Sequence, residues 1–371
     1  VRGQPLWRNR RHWLGLAALL VSAQITVARD PDPAPSASSA KSPCTPRDGL
    51  NFICGPVGSE DIVRIPATAW LIASGLNLGE PAHLFLIDAQ DKHASVLFPS
   101  RDTLMRPGEA ATHCPGPPDL KRMSMDGLGL RAEQGGLHTL YAANHGDRLA
   151  IEMFRIDARA SRPTATWVGC VLLPAGTLPN AVAPLPDGGM LVTSFYDPSD
   201  KSAWARMARA EITGRILRWD AKDGFRAVPH SDMSGANGLE ISSDGRLVYA
   251  SAWSARKLVI LSLDGQDRHE ITLDFMPDNV HRLEDGSLLV AGQRTQVQKI
   301  EACGGSPCPQ PWMIAHVDPR TGTVQPLLSR AGSAEVNYAC GAIRLGETIY
   351  FTARGSRSIS YVSADRLPSL Q

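Results

Sequence analysis

The chain has 371 residues, 20% charged and 43% hydrophobic, with 38 Lys and Arg against 37 Asp and Glu. That near-neutral balance, without basic runs, argues against nucleic acid or anionic lipid as a partner. Seven cysteines, an odd number, favour disulfides in an exported chain and leave at least one thiol free or intermolecular.

In chain order, Arg2, Arg8, Arg10 and Arg11 precede an apolar run, Trp13 to Ala23, that ends in small residues. This is the pattern of a signal peptide over 1–23, with Arg10-Arg11 loosely of the twin-arginine type; the run is too short to span a bilayer. The expected location is therefore outside the cytoplasm, periplasmic or secreted. Residues 24–48, with PDPAPSASSAKSP, read as a flexible linker. Residues 49–371 are the expected folded body, and none of its segments is apolar enough for a membrane span.

Within that body one unit recurs. NAVAPLPDGGMLVTSF, GANGLEISSDGRLVYASAW and DNVHRLEDGSLLVAGQ each place a polar residue seven positions before an Asp-Gly turn: Asn180, Asn237 and Asp278. Looser copies begin at Glu60, at Asp126 and near Asn337, the last with Tyr338 at the place of Asn237. Each copy predicts a strand, a tight turn and a second strand, and most are followed by two further strand-like runs. Six such units with little helical periodicity predict an all-β, six-bladed β-propeller. The sixth unit has about three strands before the chain ends, so a strand near Leu50 to Cys54 is expected to pair with the last blade and close the ring.

The first strand of each blade in a propeller lines the central channel, so the repeated polar position becomes a ring. Glu60, Asn180, Asn237, Asp278 and the adjacent Asn279 supply two carboxylates and three amides, a hard-oxygen set that suits Ca²⁺. The alternative for any one of them is a local turn hydrogen bond. Of the cysteines, Cys303 and Cys308 can staple one loop and Cys114 and Cys170 form a second plausible pair; Cys44, Cys54 and Cys340 are undecided.

GSEDIVRIPATAWLIASG, LHTLYAANH, GANGLEISSDGRLVYASAW and MPDNVHRLEDGSLLV resemble stretches of the paraoxonase-like arylesterases and lactonases, within the broader SMP-30/gluconolactonase group of calcium-dependent six-bladed propellers. The resemblance implies a catalytic calcium held by Glu60, Asn180, Asn237, Asp278 and Asn279, and hydrolysis of a small-molecule ester or lactone. It further implies a histidine pair, whose outer member matches His145 and whose inner member falls on Asp126, leaving Asp126 as a general base, a further ligand or a turn anchor. A second, structural calcium of the paraoxonases would use Asp61, the Leu128 carbonyl and the residue after Asn180; Ala181 stands there and offers no side-chain oxygen. Rival readings are a calcium-stabilised scaffolding propeller without chemistry, and the condensation of strictosidine-synthase-like proteins. No GxSxG, HExxH or P-loop is present. Trp70, Trp253 and Trp312 are expected in blade cores, and Tyr196 and Trp253 stand near the channel mouth.

Overall fold

Alternating apolar residues on either side of each Asp-Gly turn form antiparallel hairpins, as at Pro179–Pro184 with Met190–Ser194 and Ala236–Ile241 with Leu247–Ala252. The computed structural model describes residues 44–101, 103–108, 114–304 and 308–367; the signal segment and residues 24–43 of the linker lie outside them. Six sheets result. Blade one is Ile62–Arg64, Trp70–Ala73, Leu84–Asp88 and His93–Phe98. Blade two is Met125–Ala132, Leu137–Asn144, Ala150–Asp157 and Thr164–Leu172, with Leu104–Met105 added at its outer edge. Blades three, four and five begin with inner strands Pro179–Pro184, Ala236–Ile241 and Met276–Arg282. Blade six is Ala339–Leu345, Thr348–Ala353 and Ser358–Ser363, with Asn51–Cys54 as its outer strand, antiparallel to Ser358–Ser363. The six inner strands neighbour one another around the axis, and that of blade one touches those of blades two and six.

Apolar faces of adjacent blades pack together. Phe98, Phe154 and Trp167 fill the contact of blades one and two, and Leu289, Trp312 and Phe351 that of blades five and six. Trp253 and Trp312 are buried, whereas Trp70 is half-buried at the edge of its cluster and donates to the Ser161 carbonyl.

What positions the site is a β-bulge repeated in five inner strands. The strand pairing skips Asp126-Gly127, Asn180-Ala181, Asn237-Gly238, Asp278-Asn279 and Cys340-Gly341. Two residues then oppose one on the partner strand, the strand bends, and side chains are re-aimed. In blade six the bulge falls on Cys340-Gly341, so Cys340, and not Tyr338, holds the place equivalent to Asn237. The repeat counted from the sequence was two residues out there because blade six has no Asp-Gly turn: Gly346-Glu347 takes its place.

Gly238 answers to this packing. A Cβ on it would collide with the Asp278 carbonyl oxygen and the Asn279 Cα of the next blade. Gly238→Ala is expected to destabilise the protein by about 1–3 kcal/mol, the usual cost of overpacking. A midpoint shift in urea unfolding checks this; a shift equivalent to less than ~0.5 kcal/mol would show that the blades can move apart freely.

Disulfides join Cys114 to Cys170 and Cys303 to Cys308, the two pairs expected from the sequence, and also Cys44 to Cys54. The last ties residues 44–48, expected as linker, to the outer strand of blade six. Cys340 is free and buried.

Candidate functional site

A cavity of about 370 Å³ opens at one end of the channel. Glu60, Asp126, Asn180, Asn237, Asp278 and Cys340 line it, one residue from each of the six blades, together with His145. Asn279 is buried beside Glu60 and is not among the lining residues. Its amide nitrogen donates to Glu60 Oε1 at 2.9 Å, so its position in the fold is to hold Glu60.

Four buried oxygens in this ring have no protein partner: Glu60 Oε2, Asp126 Oδ1, Asn180 Oδ1 and Asn237 Oδ1. Buried polar atoms are ordinarily satisfied, and four acceptors from four blades around one cavity lack a donor in common. The charges make the same demand. Burial, then the Asp126 and Asp278 carboxylates, push Glu60 well above the usual carboxylate range. Burial likewise raises Asp278 to about 7, against the hydrogen bond from Gln293 that lowers it. Three carboxylates in one low-dielectric site cannot all ionise without a positive charge among them. These residues therefore fit a divalent cation, by donor type and by charge. The Cys340 thiol is the one soft group in the ring: a ligand atom of Glu60, of Asp278 and of Cys340 all lie within 4.8 Å of one another. Burial and the same two carboxylates raise the Cys340 pKa well above that of a free thiol.

Asp278 is oriented by a relay. Trp253 Nε1 donates to Gln293 Oε1 at 2.8 Å, and Gln293 Nε2 donates to Asp278 Oδ2 at 2.7 Å and to the Ala339 carbonyl at 2.7 Å. Trp253 is thus both core and support. Removing the amide in Gln293→Leu is expected to weaken cation affinity 10–100-fold, as loss of a ligand's supporting hydrogen bond does. Titration with calcium by calorimetry checks it, and an unchanged affinity would remove Gln293 from the site.

His145 sits in a turn that the Asn144 side chain holds: Asn144 Oδ1 accepts from Ser124 N and Gly146 N, and Nδ2 donates to Asp147 and the buried Glu152. His145 Nε2 faces the Pro179 carbonyl oxygen, and the Asp126 Oδ2 atom at 3.1 Å. An ionised carboxylate and a carbonyl can only accept, so Nε2 carries the proton. Asp126 is therefore held by His145 through one oxygen and presents the other, unpartnered, at the cavity.

Asp61, next to Glu60 in the chain, is engaged by protein donors. Its oxygens accept from the Ile62 and Leu128 amides, each at 2.8 Å, and from His281 Nε2 at 2.7 Å. Burial lowers the His281 pKa, but the Asp61 carboxylate outweighs it and the net shift is upward. The residues expected for a second, structural ion fit one poorly: their carboxylate already accepts three hydrogen bonds and Ala181 offers no side-chain oxygen. His281 is the participant that sequence reading missed; its place three residues after Asp278 was the available signal.

The mouth is roofed by two short helices and an aromatic cluster. Helices Ala203–Met207 and Val297–Ala302 touch each other there, and Phe195, Tyr196, Trp204 and Trp253 form an aromatic cluster with ring centroids 5.5–6.4 Å apart. Tyr196, Trp204 and Trp253 all line the cavity.

No protein-family model and no curated protein matches the sequence. Solved structures do. The gluconolactonase XC5397 of Xanthomonas campestris is similar over 86% of this chain and 89% of its own, at 17% identity and a TM-score of 0.52. The chain has the SMP-30/gluconolactonase-like propeller fold. A luciferin-regenerating enzyme matches over 86% of this chain and 95% of its own, at 12% identity and a TM-score of 0.52. A Bacteroides thetaiotaomicron protein of unknown function matches over 84% and 70%, at 11% identity and a TM-score of 0.54.

Proposed function

We propose that the protein is an exported, calcium-dependent hydrolase of small carboxylic esters or lactones. The observation that carries this reading is the set of unpartnered oxygens of Glu60, Asp126, Asn180 and Asn237 around a cavity that also holds Asp278. Glu60, Asn180, Asn237 and Asp278 would hold the ion, with Asn279 orienting Glu60; the oxygen majority favours calcium over softer metals. When bound, such an ion supplies Lewis-acid polarisation of a carbonyl oxygen. Asp126 accepts the proton of the attacking water on its open Oδ1. His145 holds Oδ2 and keeps that lobe directed at the cavity. The aromatic roof of Tyr196, Trp204 and Trp253 excludes water from the rest of the pocket and packs against the substrate's apolar part. The gluconolactonase fold and the three disulfides support the activity class and the oxidising compartment. No helix among the described residues is long and apolar enough to cross a membrane.

The test is a panel of aryl esters, γ- and δ-lactones and aldonolactones, assayed with calcium, with zinc and with chelator. Turnover that needs calcium and returns on its re-addition is the expected result. Tight calcium binding with no turnover on any member would replace the hydrolase by a scaffold.

A further inference from the structure

The central cavity has a side chamber. A second, largely apolar pocket of about 280 Å³ is lined by Leu78, Trp204, Ile300 and Cys303–Cys308. Leu78, Trp204, Tyr338 and Arg354 line both spaces, so the two are adjacent and Arg354 stands at their shared wall. Arg354 follows the blade-six strand Thr348–Ala353, and its backbone amide donates to the Tyr338 carbonyl at 3.0 Å, which fixes its Cα beside the inner strand.

Its side chain is anomalous. Among the described residues lining the central cavity it is the one arginine or lysine. It makes no side-chain hydrogen bond and no ion pair within 4 Å among the described residues, although the Asp126 and Glu60 carboxylates are near enough to attract it electrostatically. The residue keeps solvent-accessible surface and lines the pocket. A divalent ion would neutralise Glu60 and Asp278, and Asp126 already faces His145. Arg354 is left with five donors and no assigned acceptor, at the entrance of an apolar chamber.

We infer that Arg354 is a specificity-determining residue that binds a carboxylate on the substrate, and that the side chamber takes the apolar chain attached to it. The substrate class is then an ester or lactone carrying a carboxylate, or another planar oxyanion of the same reach, at one end of an aliphatic segment. A guanidinium fork meets a carboxylate with two parallel hydrogen bonds, which a neutral amide or alcohol cannot reproduce. The inference rests on the hydrolase reading for the word substrate, and inert ligands keep the two separable.

Calorimetric titration of the calcium-loaded protein with hexanoate and with hexanamide, ligands of equal chain length, tests it. Hexanoate is expected to bind at least tenfold more tightly. Arg354→Gln is expected to bind the two equally, and Arg354→Lys to keep only part of the preference, since an ammonium lacks the fork. Calcium affinity of each variant is measured in the same cell; if Arg354→Gln fails to fold, the partial loss in Arg354→Lys carries the test. Equal binding of the two ligands by the wild-type protein would overturn the inference. So would a hexanoate preference that survives unchanged in Arg354→Gln, because the carboxylate would then be held by the cation. Hexanoate preference with no turnover of any ester would sink the hydrolase reading and leave the anion site; turnover without the preference would sink the site alone.

Discussion

Asp126→Asn lowers kcat toward esters or lactones by about a thousandfold, within the 10²–10⁴ range that removal of a positioned general base produces, and changes calcium affinity by less than about tenfold. The geometry gives the reason. Asp126 Oδ2 is occupied by His145 Nε2, and Oδ1 is buried, unpartnered and on the cavity wall. An asparagine keeps the shape and can still accept from His145, but it cannot take a proton. The loss therefore falls on kcat, with KM nearly unchanged. His145→Gln is expected to cost less, because it disturbs only the aim of the carboxylate. Steady-state kinetics of both variants check this, and a kcat for Asp126→Asn within tenfold of wild type would transfer the role of base elsewhere.

The second large effect is one of opposite signs. Asp278→Asn abolishes calcium binding and at the same time stabilises the cation-free protein. In the folded chain the Asp278 carboxyl is raised from 3.8 to about 7, by burial first and by Asp126 after it. A carboxylate whose folded pKa lies above its unfolded value costs nothing at pH below about 4. Its cost grows as pH rises through the window from 4 to 7 and is complete above it. The wild-type, calcium-free protein therefore loses stability as pH rises across that window, and the asparagine variant loses less. At pH 8 the difference is about 2–4 kcal/mol in favour of the variant. Addition of calcium acts on the wild type alone: at a hundredfold excess over Kd it stabilises the wild type by about 2.7 kcal/mol and the variant not at all, so the gap narrows by that amount. Thermal melts at pH 5 and pH 8, with and without calcium, read out all four terms. A calcium-free variant less stable than wild type at pH 8 would mean that Asp278 is held ionised by something other than a bound cation.

Much of the architecture is written locally. Asp187-Gly188, Asp244-Gly245 and Asp285-Gly286 are short-range turn signals, each glycine adopting the positive φ that the turn needs. The apolar alternation on either side needs no distant information to become a strand. Counting seven positions back from each turn reached Asn180, Asn237 and Asp278, and the structure gathers them with Glu60 and Asp126 around one cavity. The Cys303–Cys308 bridge was likewise legible from its spacing, whereas Cys114–Cys170 was one plausible pair that the structure joins.

Other features depended on partners far away in the chain. In blade six, without an Asp-Gly ruler, only the pairing of Ala342 with Phe351 places the bulge at Cys340. That puts a thiol where a tyrosine was expected. Asp61 is adjacent to Glu60 in sequence, yet it points to the other side of its strand, to His281 and the Leu128 amide. Asn279, expected as a ligand, donates its amide nitrogen to Glu60 Oε1. Nothing near Arg354 in the sequence sets it apart from the other arginines.

The amino-acid sequence by itself determined the hairpins, their number and the polar residue at the head of the first five inner strands, because turns and alternation are encoded within about ten residues of one another. Tertiary structure alone decided which of two neighbouring side chains faces the cavity, which carboxylate is already engaged and which arginine has no acceptor. Those outcomes follow from β-bulges and blade-to-blade contacts, and in a strand a shift of one residue sends a side chain to the opposite face.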